Sequence, residues 1–220
     1  MAIKSNIQDK SQPFIRRRTL ISYGALAMPI TLADIPIAIY LPAFYAKEVG
    51  LSLGMIAIVF TLARTWDGFS DLLIGRLSDK FTSRFGRRKP WVIVGSPLLV
   101  VAVWCLFNPP KDAGLVYLGV WVTLFYTAHT AVKIPYWTWG AELATSYEQR
   151  GRIVAFREGF SMVGFLLFAA APLLLLPEDA PISEALHLLS TTTIILIAFA
   201  IFPLGKCVPE IRKRLVASAE

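Results

Sequence analysis

The chain has 220 residues, of which 55% are hydrophobic and 17% are charged, and its formal net charge is +7. Soluble domains typically contain about 25% charged residues, so this composition excludes an ordinary soluble globule and predicts an integral membrane protein. The basic residues fall in alternate polar segments and not on one soluble face, so we expect no nucleic-acid partner.

Six apolar runs follow one another between polar breaks, and each provides the roughly 20 residues that a helix needs to cross a bilayer. The predicted fold class is therefore all-α integral membrane, with six transmembrane helices in a lipid bilayer. We place these helices at approximately 19–46, 51–77, 90–107, 114–141, 151–176 and 185–204. They form one domain, 19–205, between an N-terminal tail, 1–18, and a basic C-terminal tail, 206–220.

The distribution of Lys and Arg predicts the orientation. Most of them lie in the two tails and in the loops after the second and fourth helices, and short loops rich in Lys and Arg stay in the cytoplasm. Both termini are thus predicted to be cytoplasmic. The first apolar run is too long for the apolar region of a cleavable signal peptide, so we expect a multi-pass protein of the cell inner (plasma) membrane.

The first helix is interrupted by three prolines, Pro29, Pro36 and Pro42, with Asp34 near its middle. Prolines free backbone carbonyls and bend helices, which a membrane tolerates where neighbours or a cavity satisfy the backbone. Asp34 is a candidate substrate-binding residue, although a bond to a neighbour beside Pro36 would explain it equally well.

The second helix carries two carboxylates, Asp67 and Asp71, into the membrane. Ionised groups at that depth cost about 2.5–3.5 kcal/mol on insertion scales, so they usually face a protein interior or an aqueous cavity. Residues i and i+4 share one helix face, and two acids that close repel each other unless a proton, a cation or a basic side chain lies between them. This spacing predicts a coupling-ion site. Alternatively, Arg64 on the same side neutralises the pair as a static bridge.

Helices 4 and 5 place further polar groups at a similar depth. Thr130, Lys133 and Trp137 follow at i, i+3 and i+7 and offer a hydroxyl, a cation and an aromatic ring on one stripe. Arg157 lies about six residues into helix 5. The stripe and Arg157 predict a site for a sugar or another hydroxyl-rich solute. The alternatives are that Arg157 reaches to the membrane surface, that Trp137 is an interfacial anchor, and that Lys133 pairs with the helix 2 acids.

The two halves of the predicted bundle share a short motif. Helix 1 reads Asp34-Ile35-Pro36 and helix 4 reads Lys133-Ile134-Pro135. Three helices followed by three helices in the opposite sense is the pattern of a transporter half built from 3+3 inverted repeats.

Several motifs together resemble one family, the glycoside-pentoside-hexuronide:cation symporters of the major facilitator superfamily, typified by the melibiose carrier. They are WDGFSD at 66–71, the loop GRLSDKFTSRFGRRKPW at 75–91, IPYW at 134–137 and AFREGF at 155–160. The resemblance spans helices 1 to 5 and implies one major-facilitator-type half, the N-terminal one.

The resemblance also implies roles for particular residues. The implied cation-binding residues are Asp67, Ser70, Asp71 and Thr130, with Na+ possible at the two carboxylates or a proton shared between them. Trp137 and Arg157 match positions that line the sugar site. The loop after helix 2 is implied to latch the carrier closed towards the cytoplasm through Gly75, Asp79, Arg87 and Arg88.

Two departures from the family modify these expectations. Lys133 stands where the melibiose carrier has a sugar-binding aspartate, which favours an anionic or differently held substrate, or proton coupling. The expected solute is a glycoside or a sugar acid. Family members have two six-helix halves, so a second half or a second copy of this chain is the expected partner. A lysolipid-type symporter half and a non-transporting truncated membrane subunit are the competing readings.

No feature predicts an enzyme. His129 and His187 are isolated from any candidate nucleophile, and the chain has no nucleotide-binding loop. We expect no cofactor beyond the coupling ion, Na+ or H+.

Overall fold

The computed structural model describes residues 15–84 and 86–209. Within these residues the regular elements are eight α-helices. α1, α2 and α3 span Arg17–Gly24, Ala27–Ile39 and Leu41–Lys47; α4 and α5 span Leu53–Lys80 and Lys89–Phe107; α6, α7 and α8 span Leu115–Leu143, Tyr147–Leu175 and Ile182–Cys207. The portions of the predicted tails at 1–14 and 210–220 lie outside the described residues.

Prolines divide the first predicted helix into three pieces. Pro29 has no N–H to donate to the carbonyl of Ala25, and Pro42 has none for Ala38, so the helical hydrogen bonding is interrupted before each proline. The residues at the breaks, Ala25 and Tyr40, keep right-handed helical dihedral angles. The backbone therefore remains helical along α1, α2 and α3, which follow one another as a segmented rod.

Five helices of the described chain are long and apolar enough to cross a membrane, one fewer than the six that the sequence predicts. They are Arg17–Ile39, Lys89–Phe107, Leu115–Leu143, Tyr147–Leu175 and Ile182–Cys207. The helix that falls outside this criterion is α4, whose 28 residues include Arg64, Asp67 and Asp71. Its charged residues lower its hydropathy, and these are the residues on which the functional prediction depends.

Several helices extend beyond their predicted ends. α7 begins at Tyr147, not at 151, because the Ser146 hydroxyl accepts a hydrogen bond from the backbone N–H of Gln149 and caps the helix. α4 continues to Lys80, three residues beyond its predicted end, and α8 begins at Ile182, three residues early. Apolar runs locate the membrane-spanning part of a helix, whereas hydrogen bonding continues into the polar flanks.

α6 lies at the centre of the bundle. It packs against α5 on one side and α4 on the other, while α7 packs mainly on α2 and α1, and α8 packs on α2 and α5. The core is rich in fully buried aromatic side chains: Tyr23, Tyr45, Phe107, Phe125, Tyr126, Tyr136 and Trp139. This arrangement brings polar residues of α6 against the acid-bearing α4, and α6 also lines a cavity together with α2 and α7.

Two tyrosines fasten α1 to α6. The Tyr23 hydroxyl donates to the carbonyl of Tyr136 at 3.0 Å, the Tyr136 hydroxyl donates to the carbonyl of Tyr23 at 2.8 Å, and the rings stack with centroids 4.5 Å apart. Gly140 makes room for this pair, because a Cβ atom there would overlap the Tyr23 hydroxyl. The contact holds the first helix against the face of α6 that leads to the cavity described below.

Candidate cation and solute site

The two carboxylates of α4 meet one hydroxyl of α6. Thr130 Oγ1 lies 3.1 Å from Asp67 Oδ1 and 2.8 Å from Asp71 Oδ1. A hydroxyl carries a single proton and can donate it fully to only one acceptor. The two acids thus share one donor, and three oxygen atoms converge on one point between the helices.

Arg64 supplies the positive charge nearest to this cluster. Its Nη1 lies 3.2 Å from Asp67 Oδ2, and its guanidinium lies over the ring of Tyr126, 4.8 Å from the centroid. More than half of the Arg64 side chain is exposed, at 56%, against 18% for Asp67. Asp71 has Thr130 as its hydrogen-bond partner among the described residues and forms no ion pair with them. Arg64 therefore neutralises one carboxylate of the pair, and the charge of Asp71 remains.

Ser70 lies between the two acids in the sequence and is buried in the structure, but its hydroxyl does not point to their carboxylates. It donates to the backbone carbonyl of Asp67 at 2.9 Å, within its own helix. A Ser hydroxyl at i+3 reaches this carbonyl readily. Ser70 stays a prediction as a cation ligand, and it would have to rotate to serve as one.

A cavity of about 300 Å³ adjoins this cluster. Three helices form it: α2 with Asp34, α6 with Lys133 and Trp137, and α7 with Arg157. All four residues that the sequence predicts to bind substrate therefore line one cavity. The acid pair does not line it, so the cation site and the solute site are adjoining and share α6.

Two cations approach the indole of Trp137 at the cavity wall. Lys133 Nζ lies 4.9 Å and Arg157 Cζ 5.0 Å from the ring centroid, within the range of a cation–π contact. Arg157 also forms an ion pair with Glu158, in which Nε and Nη2 donate to the same oxygen, Oε1, at 2.9 and 2.6 Å. Lys133 lies beyond 4.0 Å from Asp67 and Asp71, so the alternative in which it pairs with those acids is not adopted here.

His129 and Glu158 are cavity residues that the sequence analysis passed over. His129 is 3% exposed, stacks on Phe125 with centroids 5.5 Å apart, and its Nε2 has no hydrogen-bond partner among the described residues. The signal for His129 was its position one turn before Lys133 on the same face. The signal for Glu158 was its place beside Arg157 in a membrane-embedded stretch.

The loop after α4 is organised around a buried arginine, Arg88, which is 2% exposed. It donates to Asp79 Oδ1 at 2.5 Å, to Glu142 Oε1 at 2.9 Å and to Ser78 Oγ at 2.8 Å. Burial lowers the pKa of Arg88, but hydrogen bonds and the charges of Asp79 and Glu142 raise it above its ordinary value. Arg88 therefore remains a cation and ties the end of α4 to the end of α6.

The other predicted loop residues belong to the same cluster. Arg87 Nη2 donates to the backbone carbonyl of Asp79 at 2.6 Å, and Ser78 donates to the carbonyl of Gly75 at 3.0 Å. Gly86 turns the loop with φ of 110°, a left-handed value that favours glycine. Glu142, which the sequence analysis did not select, completes the cluster from α6.

The helices and the two sites define a class, an all-helical membrane protein with ionisable groups gathered inside the bundle. Comparison with known families makes this specific: the family described as MFS/sugar transport protein matches residues 22–207, and the chain belongs to it. It is a multi-pass membrane protein of a transporter family and not an enzyme. The resemblance to cation symporters of the melibiose-carrier type is confirmed.

Curated relatives are named as symporters. The chain is 26% identical over 178 residues to the inner membrane symporter YicJ of Escherichia coli (strain K12), covering 76% of this chain and 38% of that one. It is 31% identical over 159 residues to the uncharacterized symporter sll1374 of Synechocystis sp., covering 68% and 29%. With the sodium-dependent lysophosphatidylcholine symporter 1-B of Danio rerio the identity is 25% over 154 residues, covering 67% and 29%. The chain spans between 29% and 38% of the length of these relatives.

Proposed function

We propose that this chain is the N-terminal six-helix half of a symporter that couples Na+ or H+ to the transport of a sugar or related small solute. The observation that carries the proposal is the sharing of one Thr130 hydroxyl by Asp67 and Asp71. The family and the relatives named as symporters support transport by symport in general.

The acid pair has the chemistry of a monovalent cation site. Carboxylate and hydroxyl oxygens are the ligands that hard cations prefer, and a proton shared by two close carboxylates relieves the same repulsion. In the proposed bound state Thr130 turns its proton away and offers a lone pair to the ion. Ser70 adds a second hydroxyl after rotation. Arg64 balances part of the charge, so that one further positive charge completes the site.

The cavity between α2, α6 and α7 is the proposed solute site. An indole with polar and charged groups around it suits a partly apolar, hydroxyl-rich solute, and Lys133 and Arg157 favour one that carries an acid group, such as a sugar acid or its glycoside. Because α6 provides both Thr130 and Lys133, filling one site acts directly on the helix that forms the other.

The proposed membrane arrangement has six spanning helices, with α1 to α3 acting as one and α4 included. Both termini are cytoplasmic, according to the distribution of Lys and Arg. α4 crosses the membrane with its acids turned towards α6, which shields them from lipid. A second six-helix half, or a second copy of this chain, completes the central pathway in the inner membrane. The Arg88 cluster is the proposed latch of the state closed to the cytoplasm.

Uptake measurements test this function directly. Vesicles containing the chain and whatever polypeptide copurifies with it would be supplied with radiolabelled melibiose or glucuronate, under a Na+ gradient and then under a pH gradient. We expect one gradient to drive uptake, and Asp67→Ala and Asp71→Ala to abolish it, while Asp112→Ala in an exposed loop has no effect. Equal gradient-driven uptake by the wild type and both acid variants would reject the cation site.

The mass of the native complex tests the second half. In mild detergent we expect the 24.4 kDa chain to be accompanied by a six-helix partner or by a second copy of itself. A chain that transports solute while it stays monomeric would contradict this part of the proposal.

A lysolipid is the second candidate solute, because two relatives are named lysophosphatidylcholine symporters. A lipid would need an opening between helices through which its tail enters. Competition separates the candidates: an excess of lysophosphatidylcholine, but not of sugars, should block uptake if the lipid is the solute.

A further inference from the structure

Of the four charged groups that line the cavity, two form an ion pair and two do not. Its wall contains two carboxylates and two cations, contributed by Asp34, Lys133, Arg157 and Glu158. Arg157 and Glu158 are neighbours on α7 and satisfy each other through two short hydrogen bonds. They form a closed pair within one wall, which leaves Asp34 on α2 and Lys133 on α6.

Asp34 and Lys133 do not satisfy each other. Among the described residues Asp34 has neither a hydrogen bond nor an ion pair, and Lys133 has a cation–π contact with Trp137. The buried imidazole of His129 lies within electrostatic range of both groups but bonds to neither. The two side chains stand on different helices of the same cavity, farther apart than the 4.0 Å of an ion pair. The empty cavity therefore presents one carboxylate and one ammonium group, of opposite sign, on facing helices.

Charged groups at this depth in a membrane protein normally find a partner of opposite charge. A neutral sugar would offer only hydroxyls to both groups. A simple anion would satisfy Lys133 and be repelled by Asp34, and a simple cation would do the reverse. A molecule that carries both signs satisfies both walls at once.

We infer that the solute is a zwitterion, bound with its anionic group at Lys133 and its cationic group at Asp34, on a sugar or a smaller skeleton. This inference rests on the proposed use of the cavity as the solute site. It adds the charge of the solute: lysophosphatidylcholine, named for two relatives, is a zwitterionic lipid, and the inference extends this charge pattern to a solute of about the size of one sugar. A volume of about 300 Å³ suits a molecule of about the size of one sugar.

Four probes on one six-carbon polyol skeleton isolate the effect of charge. They are sorbitol, which is neutral; gluconate, an anion; glucamine, a cation; and glucosaminate, a zwitterion at pH 7.5. Binding would be measured by isothermal titration calorimetry on this chain together with the polypeptide or second copy that copurifies with it, because that second half completes the proposed pathway. We expect glucosaminate to bind at least about tenfold more tightly than each of the other three, since each buried charge pair contributes a tenfold step or more.

Substitutions then assign each charge to its wall. Lys133→Gln should weaken the binding of glucosaminate by about tenfold or more, and it should weaken the binding of gluconate as well. Lys133→Arg should restore part of the affinity. Asp34→Asn should weaken the binding of glucosaminate and of glucamine. It should strengthen the binding of gluconate, because the gluconate carboxylate is no longer repelled by the Asp34 carboxylate. Lys111→Gln and Asp112→Asn, in an exposed loop, are the matched controls. The opposite responses of the probes separate loss of a charge contact from loss of folding.

Two results would overturn the inference. If gluconate or sorbitol binds as tightly as glucosaminate, the charge at Asp34, or at both Asp34 and Lys133, does not contribute to binding. If none of the four probes binds, a zwitterionic solute is excluded. Repeating the titration in NaCl and in choline chloride tests coupling separately. A zwitterion preference without a Na+ effect would contradict Na+ coupling and leave the solute class standing.

Discussion

Replacing Thr130 by valine removes the one hydroxyl that touches both carboxylates while it preserves the β-branched shape of the side chain. Thr130 is 1% exposed and lies 3.1 Å from Asp67 and 2.8 Å from Asp71. The substitution therefore changes the polar chemistry of the cation site with little change in packing volume. If the hydroxyl is a ligand of the coupling ion, the affinity for the ion must fall.

The expected magnitude follows from the number of protons. The Thr130 hydroxyl has two carboxylate acceptors within reach but only one proton to donate. The valine substitution therefore removes only one polar contact with a charged group. Such a contact is worth about 1.5–3 kcal/mol, which corresponds to a loss of roughly tenfold to a hundredfold in affinity. A smaller effect would mean that water replaces the hydroxyl.

Calorimetric titration of the full chain with NaCl, in a choline chloride background, measures this affinity directly. A parallel titration in weak buffer records protons released, so that coupling to H+ is detected as well. Thr123→Val is the matched control, because the Thr123 hydroxyl lies on the same helix and donates only to the backbone carbonyl of Gly119.

Unchanged or tighter Na+ binding by Thr130→Val, together with unchanged proton release, would refute the reasoning. Tighter binding would mean that the hydroxyl only bridges the acids and competes with the ion. Equal losses in the Thr130 and Thr123 variants would indicate a general effect of threonine removal on α6.

Two further predictions concern the scaffold. Glu142→Gln should lower the unfolding free energy by about 1–3 kcal/mol, because it removes the charge of a carboxylate that contacts the buried Arg88 guanidinium, while Asp79, another carboxylate partner, is 61% exposed. Thermal unfolding in detergent measures it, with the exposed Glu148→Gln as control, and an unchanged melting temperature would contradict it. Gly140→Ala should cost about 1–3 kcal/mol by overpacking against the Tyr23 hydroxyl and breaking the reciprocal tyrosine contact. Gly159→Ala, with open space around its Cβ position, should unfold at nearly the wild-type temperature, and a similar melting temperature for both variants would be inconsistent with the contact.

The cation site was the part most accessible to sequence analysis. Residues four apart on a helix share a face whatever the rest of the chain does, so the spacing of Asp67 and Asp71 predicts their proximity. Spacing on one helix cannot say which side chain faces them from another. The meeting of both acids with Thr130 depends on how α4 packs against α6, and the sequence reached Thr130 as a cation ligand only through the resemblance.

The cavity shows the same division. The stripe of Lys133 and Trp137 predicts one wall of a solute site, but the spacing on this helix does not show which helices form the other walls. In the folded bundle both sites lie along α6. Thr130 contacts the acids of α4, while His129, about 100° away around the helix, and Lys133, about one turn later, line the cavity.

By itself the sequence determined the membrane class, the helical composition and the residues whose charge is costly to bury, because hydropathy and helical periodicity are properties of single segments. Tertiary structure alone decided the pairing of charges. Arg157 pairs with Glu158 and Arg88 pairs with Glu142, whereas Asp34 and Lys133 form no ion pair with each other. Pairing depends on distances between atoms of different helices, or on side-chain direction within one helix, and the packing of the bundle sets both.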